Sequence, residues 1–130
     1  MNSSQASQAY KQIDISSAVA SASPHQLISL LFGGALKQIA IAKGAIERKD
    51  LSLKGESISK AIAILGELEG CLKDRENNEI SANLSRIYDY MIRSLITANV
   101  QNDIPKLDEI SGLIIDIKET WDKIGEQVNA

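Results

Sequence analysis

From residue 23 onward the apolar residues of this chain recur every three or four positions, and no stretch alternates apolar with polar one by one. A period near 3.6 marks one-sided helices; the period of two that marks a half-buried strand is missing. The periodic runs are separated by clear stop and start signals. Ser23-Pro24-His25-Gln26 offers a capping serine, a proline suited to the first helical position and a glutamine that can close a capping box. It predicts a first helix running to about Arg48. Asp50 is placed to cap a second, to about Lys73. After the polar stretch 74–79, Asn78 caps a third over about 79–100. Asp103 caps a fourth that tolerates Pro105 in its first turn and runs to about Glu126. Four helices of about 30–37 Å with short connections predict an all-α, antiparallel up-down-up-down four-helix bundle over residues 23–130.

At about 100° per residue, Ile28, Leu31, Phe32, Ala35, Ile39, Ala42 and Ile46 form one stripe on the first helix, the core stripe. Leu27, Leu30, Gly34, Ile41 and Ala45 form a second stripe on another side. The tandem Gly33-Gly34 costs about 1 kcal/mol per glycine relative to alanine inside a helix. Gly34 falls in the second stripe, where a missing side chain makes a notch that another backbone can approach. Gly33 points away from both stripes and has no evident packing role. The third helix spreads Leu84, Ile87, Tyr88, Met91, Ile92, Leu95 and Ile96 over about 180°, wider than a core stripe needs. The fourth places Leu107, Ile110, Leu113, Ile114, Ile117, Trp121 and Ile124 within about 120°, with Ile115 outside. This excess is either scattered surface Leu and Ile or grooves between helices that hold an extra apolar segment.

Residues 1–22 are rich in Ser, Ala and Gln, with Tyr10, Ile13, Ile15 and Val19 as their large apolar members. Such a stretch buries too little to fold alone. It is expected to be a flexible segment, or one docked on the body through Tyr10 and Ile13. Net charge is −3, with six basic and three acidic residues between Lys37 and Lys60 but seven basic and thirteen acidic from Glu67 onward. No cluster of Lys and Arg is large enough to neutralise several phosphates on one face, so nucleic acid is not an expected partner. The acidic C-terminal half is either an ordinary solvated face or a feature that helps choose a partner. Cys71 stands alone, so an intramolecular disulfide is excluded and a reducing, cytoplasmic setting is expected. There is no secretory signal pattern, and no stretch approaches the ~20 apolar residues of a membrane span, so membrane insertion is not expected.

Chemistry is sparse. His25, the only histidine, is expected to be solvated in the first turn. It is followed by Gln26 and Leu27, not by the basic residue and glycine of a phosphotransfer histidine. Cys71 is expected to be a buried or half-buried structural thiol. There is no Cys/His set for zinc, no phosphate-binding glycine loop and no nucleophile–base pair, so neither a cofactor nor an enzymatic activity is expected. Asp89 reads as a carboxylate at the bundle surface.

Three stretches together resemble the FliS family of flagellin export chaperones. They are Ala9-Tyr10-Lys11-Gln12; Ser23-Pro24-x-x-Leu27-Ile28 followed by Leu31-Phe32-Gly33-Gly34-Ala35; and Tyr88-Asp89-Tyr90-Met91 with Leu95, Ala98-Asn99, Asp103-Ile104 and Trp121. The resemblance covers about residues 9–125. Phe32 and Gly33 stand where members usually carry tyrosine and aspartate, removing a hydroxyl and a carboxylate. The resemblance implies a cytoplasmic four-helix chaperone that binds the C-terminal region of flagellin, blocks premature polymerisation and aids delivery to the export apparatus. It also implies a client that wraps the bundle, an N-terminal segment near Tyr10 that covers part of the empty site, and contacts with the export gate and other flagellar proteins. The expected partner-binding residues are Tyr10, Ile13, Leu27, Leu30, Gly34, Ile41, Tyr88, Ile92 and Ile96. The alternative is a scaffold module whose extra stripes bury each other in a homodimer.

Overall fold

Each helix begins at a side chain that satisfies otherwise orphaned backbone N–H groups. In the computed structural model, which describes residues 22–74 and 76–129 with side chains through residue 125, these are the four caps that the sequence predicts. Helix α1 spans Pro24–Glu47, and Ser23 and Gln26 form a complete capping box at its start. Helix α2 spans Leu51–Gly70, where Asp50 accepts from the Leu53 N–H at 3.1 Å. Helix α3 spans Glu79–Gln101, with Asn78 accepting from Ile80 and Ser81. Helix α4 spans Ile104–Asn129, with Asp103 accepting from the Lys106 N–H at 3.0 Å. There is no strand among the described residues.

The helices pack as a ring in chain order, α1 against α2 and α4, and α3 against α2 and α4. This is the antiparallel four-helix bundle that the sequence predicts. The α1–α2 interface is the most extensive and α3–α4 the least. Phe32, Ile39, Ile58, Leu65, Leu68, Met91, Leu95, Leu107, Ile110 and Ile114 fill the centre, with Ala35, Ala42, Ala61 and Ala98 buried between them. Each buried Leu or Ile contributes about 1.5–3 kcal/mol relative to exposure, and the alanines let the helices approach closely.

Polar contacts tie the helices at their ends. On α1 and α4, Lys43 pairs with Asp108 at one end. At the other, Ser29 Oγ donates to Asp122 at 2.7 Å. On α2, the Lys54 side chain, only 8% exposed, donates to the Asn99 carbonyl and to Asn102 at the end of α3. Asn102 takes the left-handed conformation (φ 53°) that ends a helix, and a cation there complements the helix C-terminus.

Three expectations change. His25 is half-buried rather than solvated. Its ring stacks on Trp121 with centroids 4.6 Å apart, its Nε2 lies 2.6 Å from the Trp121 carbonyl, and the Trp121 Nε1–H donates to the His25 carbonyl at 2.9 Å. The fourth helix reaches back to the start of the first, which local sequence does not reveal. Cys71 is exposed, because α2 ends one residue earlier and the thiol sits on its C-cap outside the core. Helix α1 is, by length and composition, long and apolar enough to cross a membrane. Its two stripes and its small residues sum to that hydropathy although no uninterrupted apolar run exists, and its core stripe is packed inside the bundle.

Candidate functional site

Burial of Phe32, Ala35, Ile39 and Ala42 sets the rotation of α1 and so decides what its outer side presents. Leu27, Leu30, Leu31, Gly33 and Gly34 floor a groove of about 570 Å³, bounded by Ile64 of α2 and Lys118 of α4. A Cβ at Gly34 meets Ile64 Cδ1 at 3.4 Å, ordinary contact, while one at Gly33 meets nothing within 4 Å. Gly33 therefore has a place that the stripe angles missed: it keeps the groove floor low beside Gly34. Leu30 is 45% exposed in this groove. Its polar rim consists of Ser29, Lys37, Gln38 and Lys118.

A second groove, of about 730 Å³, opens along the α3–α4 seam over Ile87, Leu113 and Ile117. It forms where the bundle packs least. Tyr90 stands at its mouth and donates its hydroxyl to Glu109 at 2.8 Å. Lys106 pairs with Glu109 at 2.7 Å and lies 5.9 Å above the Tyr90 ring. Hydrogen bonds from Lys106 and then Tyr90 hold the Glu109 carboxyl below its usual range, and Glu109 raises Lys106 in return. The lining also carries Arg86 and Asp116.

The structure brings together part of the expected set. Leu27, Leu30 and Gly34 share the first groove. Ile41 is half-buried on α1 beyond the groove lining. Tyr88 is 3% exposed and belongs to the core; burial, with a smaller contribution from Cys71, pushes its phenol up to about 12. Ile92 packs half-buried on the core, and Ile96 is 52% exposed outside both groove linings. Tyr10 and Ile13 lie outside the described residues. The second groove instead uses Ile87 and Tyr90, three residues apart on the flank of α3, facing Leu113 and Ile117 of α4. Ile87 has a signal, its place at the margin of an over-wide stripe; Tyr90 lies about 60° outside that stripe and has none. Ile64 and Lys118 have no local signal, because neighbouring helices bring them to the first groove.

Among the described residues no group of three or more His, Cys, Asp or Glu side chains is placed to hold a metal ion. What the geometry defines is a helical bundle with open apolar grooves that have charged rims. The family described as "Flagellar protein FliS" matches residues 6–128 of the chain. The Salmonella typhimurium protein named "Flagellar secretion chaperone FliS" is 44% identical over 122 residues, 93% of this chain and 90% of its own length. The Pseudomonas aeruginosa "Flagellar secretion chaperone FliSB" is 44% identical over 115 residues, covering 88% and 91%. The Bacillus subtilis FliS is 39% identical over 113 residues, covering 87% and 80%. The chain belongs to the FliS family.

Proposed function

We propose that this chain is a cytoplasmic export chaperone for flagellin. It holds the disordered C-terminal region of its client in the apolar grooves between helices, keeps it from polymerising and aids its delivery to the flagellar export apparatus. The observation that carries the reading is the groove over Gly33 and Gly34, an apolar floor left open on the outer side of a core helix, in a chain of the FliS family. An amphipathic client segment gains about 25 cal/mol per Å² of apolar surface buried there, which offsets the entropy lost on ordering. The α3–α4 groove, on another side of the bundle, supports a client long enough to wrap.

Calorimetric titration with the C-terminal segment of the same organism's flagellin tests the proposal. The expected result is near 1:1 binding with a clearly negative heat-capacity change, the mark of apolar burial. Absence of binding at high micromolar concentration, with the protein folded, would overturn it.

A further inference from the structure

The groove over Gly33 and Gly34 is lined by two cations, Lys37 and Lys118, and by no carboxylate, in a chain whose net charge is −3. Lys118 is held by Asp122 at 2.7 Å. Lys37 is exposed and makes no hydrogen bond or ion pair among the described residues. The residue one turn before it is Gly33, so the i, i+4 position that could supply a partner carboxylate is empty. The α3–α4 groove is different, with Arg86, Glu109 and Asp116 giving it both signs.

We infer that the Gly33–Gly34 groove selects an amphipathic client segment bearing an aspartate or glutamate side chain that pairs with Lys37. The inference rests on the chaperone reading above. The groove floor runs from Leu27 to Gln38, about 16 Å of helix, enough for some three turns of a client helix laid along it. Lys37 stands on the rim, where it meets the polar flank of such a helix. A terminal carboxylate is the poorer occupant, because its capture uses converging free backbone N–H groups and this floor is helix interior with those groups already bonded. A rim charge acts mainly on selectivity, association rate and salt dependence while the apolar floor supplies affinity.

The test titrates the full-length protein with the flagellin C-terminal segment at low and high salt. Lys37→Ala weakens binding about 3-fold and Lys37→Glu about 10-fold at low salt, and both differences shrink at high salt. Gly33→Asp pairs with Lys37 from within the helix and weakens binding about 3-fold more than the isosteric Gly33→Asn, which fills the floor equally without a charge. Thermal melts confirm that each variant folds. A client with Asp and Glu replaced by Asn and Gln becomes indifferent to Lys37→Glu. Wild-type affinity for the Lys37→Glu variant overturns the inference and leaves the chaperone reading intact. A Lys37 effect that vanishes on amidating the client's C-terminus, while persisting in the Asn/Gln client, overturns it in favour of the terminal carboxylate. No binding by the wild-type protein overturns both.

Discussion

Lys54 and Asn102, 48 positions apart, meet at 2.6 Å, and the same ammonium group reaches the Asn99 carbonyl at 2.8 Å. A buried cation on α2 thus closes the end of α3. Lys54→Met keeps the packing of the aliphatic stem but strips a charged donor from two acceptors. Hydrogen bonds to charged groups contribute about 1.5–3 kcal/mol, so the variant should lose stability of that order. Urea denaturation reads it; a loss below about 0.5 kcal/mol would mean that water replaces the ammonium at no cost.

His25 fits against Trp121 because position 125 lacks a side chain: a Cβ there would lie 2.0 Å from His25 Cε1. Gly125→Ala should therefore destabilise by about 1–3 kcal/mol, although alanine favours helix. In His25→Ala the obstacle is gone, and Gly125→Ala should become neutral or stabilising. The double-mutant cycle is the check, and additive effects would show that the ring is not held there.

Tyr88 predicts an alkaline limb. An unfolded chain ionises its tyrosine near pH 10, whereas the buried phenol holds its proton to about 12. Its contribution is complete below pH 10 and is lost as pH rises to about 12, at about 1.4 kcal/mol per unit, roughly 2–3 in all. Tyr88→Phe should flatten this part of the denaturation-midpoint profile. At the acid end, hydrogen bonds from Lys118 and then Ser29 hold the Asp122 carboxyl below its usual range. That contribution is present above the ordinary aspartate range and lost as pH falls through the depressed one, so Asp122→Asn should shallow the acid limb.

The Gly34 notch separates stability from binding. Gly34→Ala adds a methyl at ordinary contact distance from Ile64 and should stabilise the helix by about 1 kcal/mol. Gly34→Leu fills the groove and should weaken flagellin-segment binding at least tenfold while the melt stays cooperative. Equal affinity in a folded Gly34→Leu would falsify this placement of the client.

The helices and their starts were legible because caps and periodicity are local. Ser23, Asp50, Asn78 and Asp103 each act on N–H groups within three residues. The centre of the bundle was legible for the same reason, since Phe32, Ile39, Leu95 and Ile114 all lie on the apolar stripes that the helical period draws. Stripe margins were not. Tyr90 lies outside the α3 stripe and reaches a groove only because α4 packs beside it, while Tyr88, two residues and about 200° away, stays in the core. Contacts made between distant helices, such as His25 with Trp121 and Lys54 with Asn102, left no local mark at all. Gly33 has no packing contact, as its angle implies; its place in the floor beside Gly34 depends on the neighbouring helices and carries no local signal.

Helix α4 is fastened to α1 near both ends, by Lys43–Asp108 and by the Ser29–Asp122 and His25–Trp121 pairs, and its interface with α3 is the least extensive in the bundle. A rod pinned at two points bends; it does not swing. Thermal motion at the seam is therefore expected to be a bowing of the middle of α4, around Leu113 and Ile117, that widens and narrows a slot without detaching the helix. Amide hydrogens there should exchange faster than those in the middle of α1, and a client seated in the slot should slow them by damping that bow.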